Sequence, residues 1–187
     1  MCHRCAVFEY DGDDDAMRIK AVVSQTDIIR FLCKHADEMT ALMESTLAQL
    51  GLAYKEVYTV SSDTPTVEAL SAMATFGYRG AGVVAELGGE LVGAFSQSDF
   101  RNFSPDQFGD LSMPVGTFLK ESITRNVPGL GPVTAEPSTT LGRVLELMNT
   151  NDVHRIYVVP SDAKIPVGVV SMTDVLRIVS MWGAESR

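Results

Sequence analysis

The sequence predicts an α+β fold, α/β-like in its alternation, built from repeated strand–helix–strand–strand–helix units. Three observations predict it. A motif Ser-x-[Ser/Thr]-Asp, with an apolar strand before it and an apolar helix start after it, occurs three times. Its aspartates, Asp27, Asp99 and Asp174, lie 72 and 75 residues apart, a near-constant period that marks duplication. A His-Arg pair opens a short apolar run ahead of the first and third motifs. Strands alternating with helices imply a sheet covered by helices.

The first copy starts at His3-Arg4, whose strand Cys5-Ala6-Val7-Phe8 leads to an acidic turn around Gly12-Asp13-Asp14-Asp15 and then to Ala21-Val22-Val23-Ser24-Gln25-Thr26-Asp27. Nothing ahead of it supplies a first strand and helix, so it reads as the rear half of a unit. That predicts an unpaired sheet edge and an uncovered apolar face, a truncated piece of a longer protein or a start site assigned too late, and self-association. From Ile28 to Leu50 the apolar residues Ile28, Phe31, Leu32, Met39, Leu42, Met43, Leu47 and Leu50 form a helical stripe ended by Gly51.

The second copy opens on the strand Val57-Tyr58-Thr59-Val60. Thr64 reads as a helix cap with Pro65 behind it, and Val67, Leu70, Met73, Ala74 and Phe76 as the buried stripe of that helix. At the His-Arg position this copy reads Phe76-Gly77-Tyr78-Arg79, so its cleft is expected to bind weakly or without a phosphate. Gly93-Ala94-Phe95-Ser96-Gln97-Ser98-Asp99 carries the motif. The stretch from Asn102 to Pro132 is a Gly-, Pro- and Ser-rich connector with one short helix near Pro114 to Lys120. In the third copy Val133-Thr134 precedes a helix through Leu141, Val144, Leu145, Leu147 and Met148; His154-Arg155 opens the strand to Val159, and Gly168-Val169-Val170-Ser171-Met172-Thr173-Asp174 closes the unit.

Composition narrows the function. Of 187 residues, 45% are hydrophobic and 21% charged, which excludes global disorder. The net charge of −9 disfavours nucleic acid and anionic lipid as partners. No apolar run approaches the roughly 18 residues of a membrane span. Three cysteines are an odd number and too few for a disulfide scaffold, so a reducing compartment, cytoplasm or nucleus, fits. Cys2-x-x-Cys5 enters a strand rather than a helix start and lacks a second ligand pair, which argues against redox or zinc chemistry. No Ser–His–Asp set or carboxylate pair stands out, so a non-catalytic role is expected and no metal site is assigned. Gly80-Ala81-Gly82 is too short for a dinucleotide fingerprint.

The units resemble the cystathionine-β-synthase (CBS) domain. The residues that carry the resemblance are Val57-x-Thr59-Val60 with Thr64-Pro65-x-Val67-x-Ala69-Leu70 and Met73; Val153-His154-Arg155-x-x-Val158-Val159; and Val167-Gly168-Val169-Val170-Ser171-x-Thr173-Asp174. Within that family the pattern is most similar to the gamma-type regulatory subunits of AMP-activated protein kinase. The resemblance implies tandem CBS units paired as a Bateman module: residues 1–35 the rear half of a unit, 36–52 a linker helix, 53–105 a unit, 106–124 a linker, 125–181 a unit and 182–187 a tail. It implies a regulatory ligand, AMP, ADP or ATP, in clefts between units, and a kinase's catalytic and scaffolding subunits as partners.

Against that frame, each motif has a chemistry. Asp174, Asp99 and Asp27 can accept hydrogen bonds from a ribose diol, and Ser171, Thr173, Ser96, Ser98, Ser24 and Thr26 can meet a phosphate beside helix-start N–H groups. The same Ser-x-x-Asp spacing is a capping box, and the two roles can coexist. His154-Arg155 and His3-Arg4 supply the local positive charge the chain lacks overall. Thr59 and Thr134 end first strands where the family contacts base or phosphate, each with the alternative of a plain helix-lead residue. Gly82-Val83 and Tyr157-Val158 are expected as cleft walls whose backbone reads the adenine edge. Two alternatives remain at this point: a CBS pair serving as a scaffold with vestigial clefts, and a Cys-x-x-Cys redox regulator.

Overall fold

The computed structural model describes residues 4–11, 16–100, 103–123 and 131–185. Strands β1 (Arg4–Asp11) and β2 (Ala16–Ser24) form an antiparallel hairpin that runs into α1 (Gln25–Lys34). A 3-10 turn at Ala36–Met39 and a single-turn α2 (Thr40–Met43) follow. The middle unit holds β3 (Thr59–Ser61), α3 (Thr66–Phe76), β4 (Gly80–Val84) and β5 (Leu91–Ser96), then 3-10 turns at Gln97–Phe100 and Pro105–Ser112. After α4 (Val115–Phe118) and a π turn at Leu119–Ile123 comes the last unit. It holds β6 (Thr134–Ala135), α5 (Leu141–Thr150), β7 (Arg155–Val158), β8 (Gly168–Ser171) and α6 (Met172–Glu185). Each full unit is a three-stranded sheet, first strand parallel to the second and second antiparallel to the third.

Strand register proves the repeat. Arg4 faces Ser24, Gly80 faces Ser96 and Arg155 faces Ser171, each serine opening a Ser-x-x-Asp motif. The same register sharpens one alignment: within and just beyond Phe76-Gly77-Tyr78-Arg79, the residues that correspond to His154-Arg155 are Arg79-Gly80. The expected acidic turn at Gly12–Asp15 and His3 lie outside the described residues, as does Cys2.

The linker expected as one helix from Ile28 to Leu50 is broken, with α1 ending at His35. Thr40 donates its hydroxyl to the Asp37 carbonyl, Ser45 to that of Ala41, and the Thr46 N–H and hydroxyl both donate to Gln49. These local side-chain bonds compete with the helical ladder. The stripe is buried nonetheless: Leu42, Met43, Leu47 and Ala53 belong to one core with Leu141, Val144, Leu145, Met148, Ile156, Val158 and Val170. Backbone bonds tie the segment there, Leu47 N–H to Thr139 O and Leu141 N–H to Ser45 O. Residues 42–53 therefore pack into the last unit, although they precede the middle one in sequence.

Two further expectations change. Pro65, not Thr64, stands at the N-cap of α3; the Thr64 carbonyl accepts the Val115 N–H. The buried face of α3 is Thr66, Ala69 and Met73, while Val67 and Phe76 are exposed. The helix expected after Asp99 is a single 3-10 turn. Pro105 disfavours the α conformation at Ser104, and Phe95, Phe100, Phe103 and Phe118 pack edge and face against one another there.

The hairpin differs from its counterparts in burial. Val158 of β7 is fully buried; Val7, at the same register position of β1, is 40% exposed. Val175 of α6 is fully buried; its counterpart Ile28 is 38% exposed. Among the described residues only β2 pairs with β1.

Candidate functional site

All three Ser-x-x-Asp motifs close as caps. Asp27 accepts from the Ser24 N–H (2.8 Å), Asp99 from the Ser96 N–H (2.6 Å) and Asp174 from the Ser171 N–H (2.9 Å). Their surroundings then diverge. Asp27 is on the surface, and hydrogen bonds from Ser24 hold its carboxyl below the ordinary value. Asp99 is half-buried; desolvation pushes its carboxyl up, against the opposing pull of Ser96 and Arg155. Asp174 is 5% exposed. Burial alone would raise its carboxyl too, but hydrogen bonds from Lys55 and Ser171 outweigh it and leave the group below its usual value. Lys55 Nζ stands 2.7 Å from Asp174 Oδ1.

A cavity of about 530 Å³ lies between the two full units. The middle unit contributes Val83, Ser96, Ser98 and Asp99; the last unit contributes His154, Arg155 and Tyr157. The carboxylate of one unit thus meets the His-Arg pair of the other. The sequence places His154-Arg155 in one unit with Asp174 and leads to the expectation that the Asp99 cleft binds weakly or without a phosphate; the structure brings His154-Arg155 to the cavity of Asp99.

Complementary residues at equivalent positions make this cleft. Gly80 and Arg155 share a register position, as do Gly82 and Tyr157. A Cβ at Gly80 would lie 1.6 Å from Arg155 Nη1, and one at Gly82 would lie 3.2 Å from the Tyr157 ring. The glycines of β4 therefore make room for the large side chains of β7. Tyr157 is 2% exposed, and burial pushes its phenol up to about 12 despite the neighbouring Arg155. Arg155 lowers the carboxyl of Asp99 and the phenol of Tyr157, in each case against the larger effect of burial.

The other expected site residues are dispersed. Thr134 lines a second, shallower cavity of about 630 Å³ with Thr139, Arg143 and Lys164. Ser171, Thr173 and Asp174 line neither cavity, and the Thr173 hydroxyl accepts from Gln25 Nε2 (3.1 Å). The Thr26 hydroxyl contacts Met172 Sδ at 3.9 Å. Ser24, Asp27 and Arg4 line neither cavity, and Arg4 contributes to the field at Asp27. Thr59 packs its methyl toward Gly82, whose N–H is engaged by the Tyr58 carbonyl rather than turned to a ligand. Sequence reasoning missed Gly80 and Lys55; the register between strands, which only the fold supplies, identifies the first, and no motif marks the second.

Two units built on the same three-stranded β-α-β-β plan, with a cavity between them, define a tandem domain pair of a known kind. The chain belongs to the CBS domain family, matching it over residues 51–106 and 122–181. It is similar to the SNF1-related protein kinase regulatory subunit gamma-1-like of Arabidopsis thaliana, 28% identical over 169 residues that cover 84% of this chain and 38% of that protein. The chain thus spans well under half the length of that relative. Its fold is that of a Methanocaldococcus jannaschii protein proposed as an archaeal homolog of γ-AMPK, with TM-score 0.62 and 21% identity over 89% of this chain and 56% of that one. It is also that of CBSX2, solved in complex with AMP, with TM-score 0.56 and 19% identity over 74% of this chain and 98% of that one. Among the described residues no helix is long and apolar enough to cross a membrane.

Proposed function

We propose that this chain is a regulatory adenine-nucleotide module, an energy-sensing subunit whose binding site is the cleft of Ser96, Ser98, Asp99, His154 and Arg155. One observation carries the reading: a single cavity draws a desolvated carboxylate from one unit and a His-Arg pair from the other. Those are the groups a nucleoside monophosphate needs. The carboxylate accepts from the sugar hydroxyls, while Arg155 and His154 offset the phosphate in a chain of net charge −9. Because both units contact one ligand, AMP, ADP and ATP, with different phosphate lengths, favour different packings of the pair, and a bound partner reads the difference. The partners that the similarity to gamma-type subunits supports are a kinase's catalytic and scaffolding subunits.

Calorimetric titration with AMP tests it. An affinity near 10 µM corresponds to about −7 kcal/mol. Asp99→Asn removes a charge-assisted bond worth about 1.5 kcal/mol or more, so affinity drops roughly tenfold or further. No heat at millimolar AMP, or an unchanged affinity in Asp99→Asn, overturns the assignment.

A further inference from the structure

The hairpin β1–β2 repeats the β4–β5 pair down to an irregularity: the register shifts between Val7 and Phe8 as it does between Val83 and Val84. Counted from the equivalent residues Arg4, Gly80 and Arg155, Phe8 stands at the position of Val84 and Val159. Ile19, opposite Phe8, stands at the position of Leu91, opposite Val84. In the full units this is where the two sheets meet. Val84, Leu91 and Tyr157 share one apolar cluster, with Ala94, Val159 and Val169 packed against it. Val84 is 1% exposed and Leu91 8%, whereas Phe8 is 53% exposed and Ile19 64%. Directly opposed residues, and alternate residues along a strand, share a face. The bare face of the hairpin therefore carries Ala6 with Val22, Phe8 with Ile19 and Tyr10 with Met17, and the last two are also mostly exposed. The charges are on the reverse, where Glu9 faces Arg18 and bonds Lys20. Large apolar side chains gathered on one exposed face mark an interaction surface.

We propose that this face pairs with the same face of a second copy of the chain, in a two-fold dimer. The molecule itself shows what such a face takes. The equivalent faces of the middle and last units cover each other, with Val84 and Val159, the two counterparts of Phe8, in one cluster. Among the described residues that contact uses both of those faces and leaves the hairpin's bare, so a second copy supplies the match. A two-fold axis sets the patch against itself, and any charge on it would meet its own copy. The three residue pairs that form the face carry no charge. The contact is through the face and leaves the outer edge of β1 open. Three side-chain pairs per copy make a small interface, so the dissociation constant is roughly micromolar. Nothing in this contact depends on nucleotide binding.

Sedimentation velocity on the full chain, from about 1 to 200 µM, reads the outcome. The wild-type mass rises with concentration from one chain to two and stops there. Phe8→Glu sets carboxylates against each other across the axis and weakens association roughly 100-fold or more. Arg18→Ala, on the reverse face, leaves it within about twofold. Phe8→Lys dissociates the dimer likewise, and an equimolar mixture of Phe8→Glu and Phe8→Lys restores it, which hairpins that had merely unfolded would not do. Should the charged variants fail to fold, Ile19→Ser is measured in their place and weakens association about tenfold. A wild-type chain that stays monomeric throughout leaves the face to an unlike chain and overturns the proposal. A dimer indifferent to substitution of this face, or a charge-reversed mixture that stays monomeric, overturns it too.

Discussion

Asp27, Asp99 and Asp174 occupy one position of the repeat and sit in three electrostatic environments. Asp27 is exposed and held below its ordinary value by Ser24, Asp99 is pushed up by desolvation, and Asp174 is desolvated too but held down by hydrogen bonds from Lys55 and Ser171. For Asp174 the sign of the effect on stability follows from its depressed folded value. The carboxylate stabilises the fold fully above the unfolded value of 3.8, and that stabilisation is lost as pH falls through the lower folded value. Wild type therefore loses stability on acidification below pH 3.8, and Asp174→Asn loses less over the same interval; denaturant melts at stepped pH check it. Gly80 is the second residue-scale case. Gly80→Ala forces the Arg155 guanidinium to leave the strand it lies against. The tip of an arginine is mobile, so the melting temperature drops by no more than about 4 °C, while AMP affinity falls roughly tenfold as the cation moves from Asp99. Parallel scanning calorimetry and AMP titration distinguish this from general destabilisation.

At the scale of elements, the chain separates into parts with different protection. The hairpin β1–β2 has two strands and exposed apolar side chains on both, including Phe8, Tyr10, Met17 and Ile19. Two-stranded ribbons are marginal in water. Its amides are expected to exchange fastest among the strands, at least tenfold faster than those of β7; protection in β1 equal to that in β7 contradicts this. Segment 44–53 is the opposite case. It has little regular structure, yet Leu47 is fully buried, and Leu47→Ala is expected to cost about 2–5 kcal/mol in denaturant unfolding, as for a core helix residue. The repeat and the order of strands and helices were legible because motif period and apolar patterning are local properties. The fate of 36–52 was not: its apolar stripe is real, but hydroxyls at Thr40, Ser45 and Thr46 break the helix, and the partner of the stripe is a unit more than eighty residues further on. The phase of α3 was misread for a related reason, since Val67 and Phe76 are apolar and point outward, which no periodicity reveals.

At the scale of the molecule, the two full units meet so that β4 supplies glycines and β7 supplies Arg155 and Tyr157 at matched positions. A symmetric pair would have two like clefts. Among the described residues the cavity at Asp99 draws on both units, whereas at the counterpart position Lys55 is bonded to Asp174. Sequence alone placed the clefts between units, but it could not say which aspartate would share a cavity with His154-Arg155, because that pairing is set by how the units pack and not by any motif. The most direct check of that sharing is an amide-resolved NMR titration with AMP. The expected result is that shifts concentrate in two segments, Ser96 to Asp99 and His154 to Tyr157, report one dissociation constant, and vanish together in Asp99→Asn. Shifts confined to one segment, or two unrelated constants for the two, would contradict a cleft built from both units.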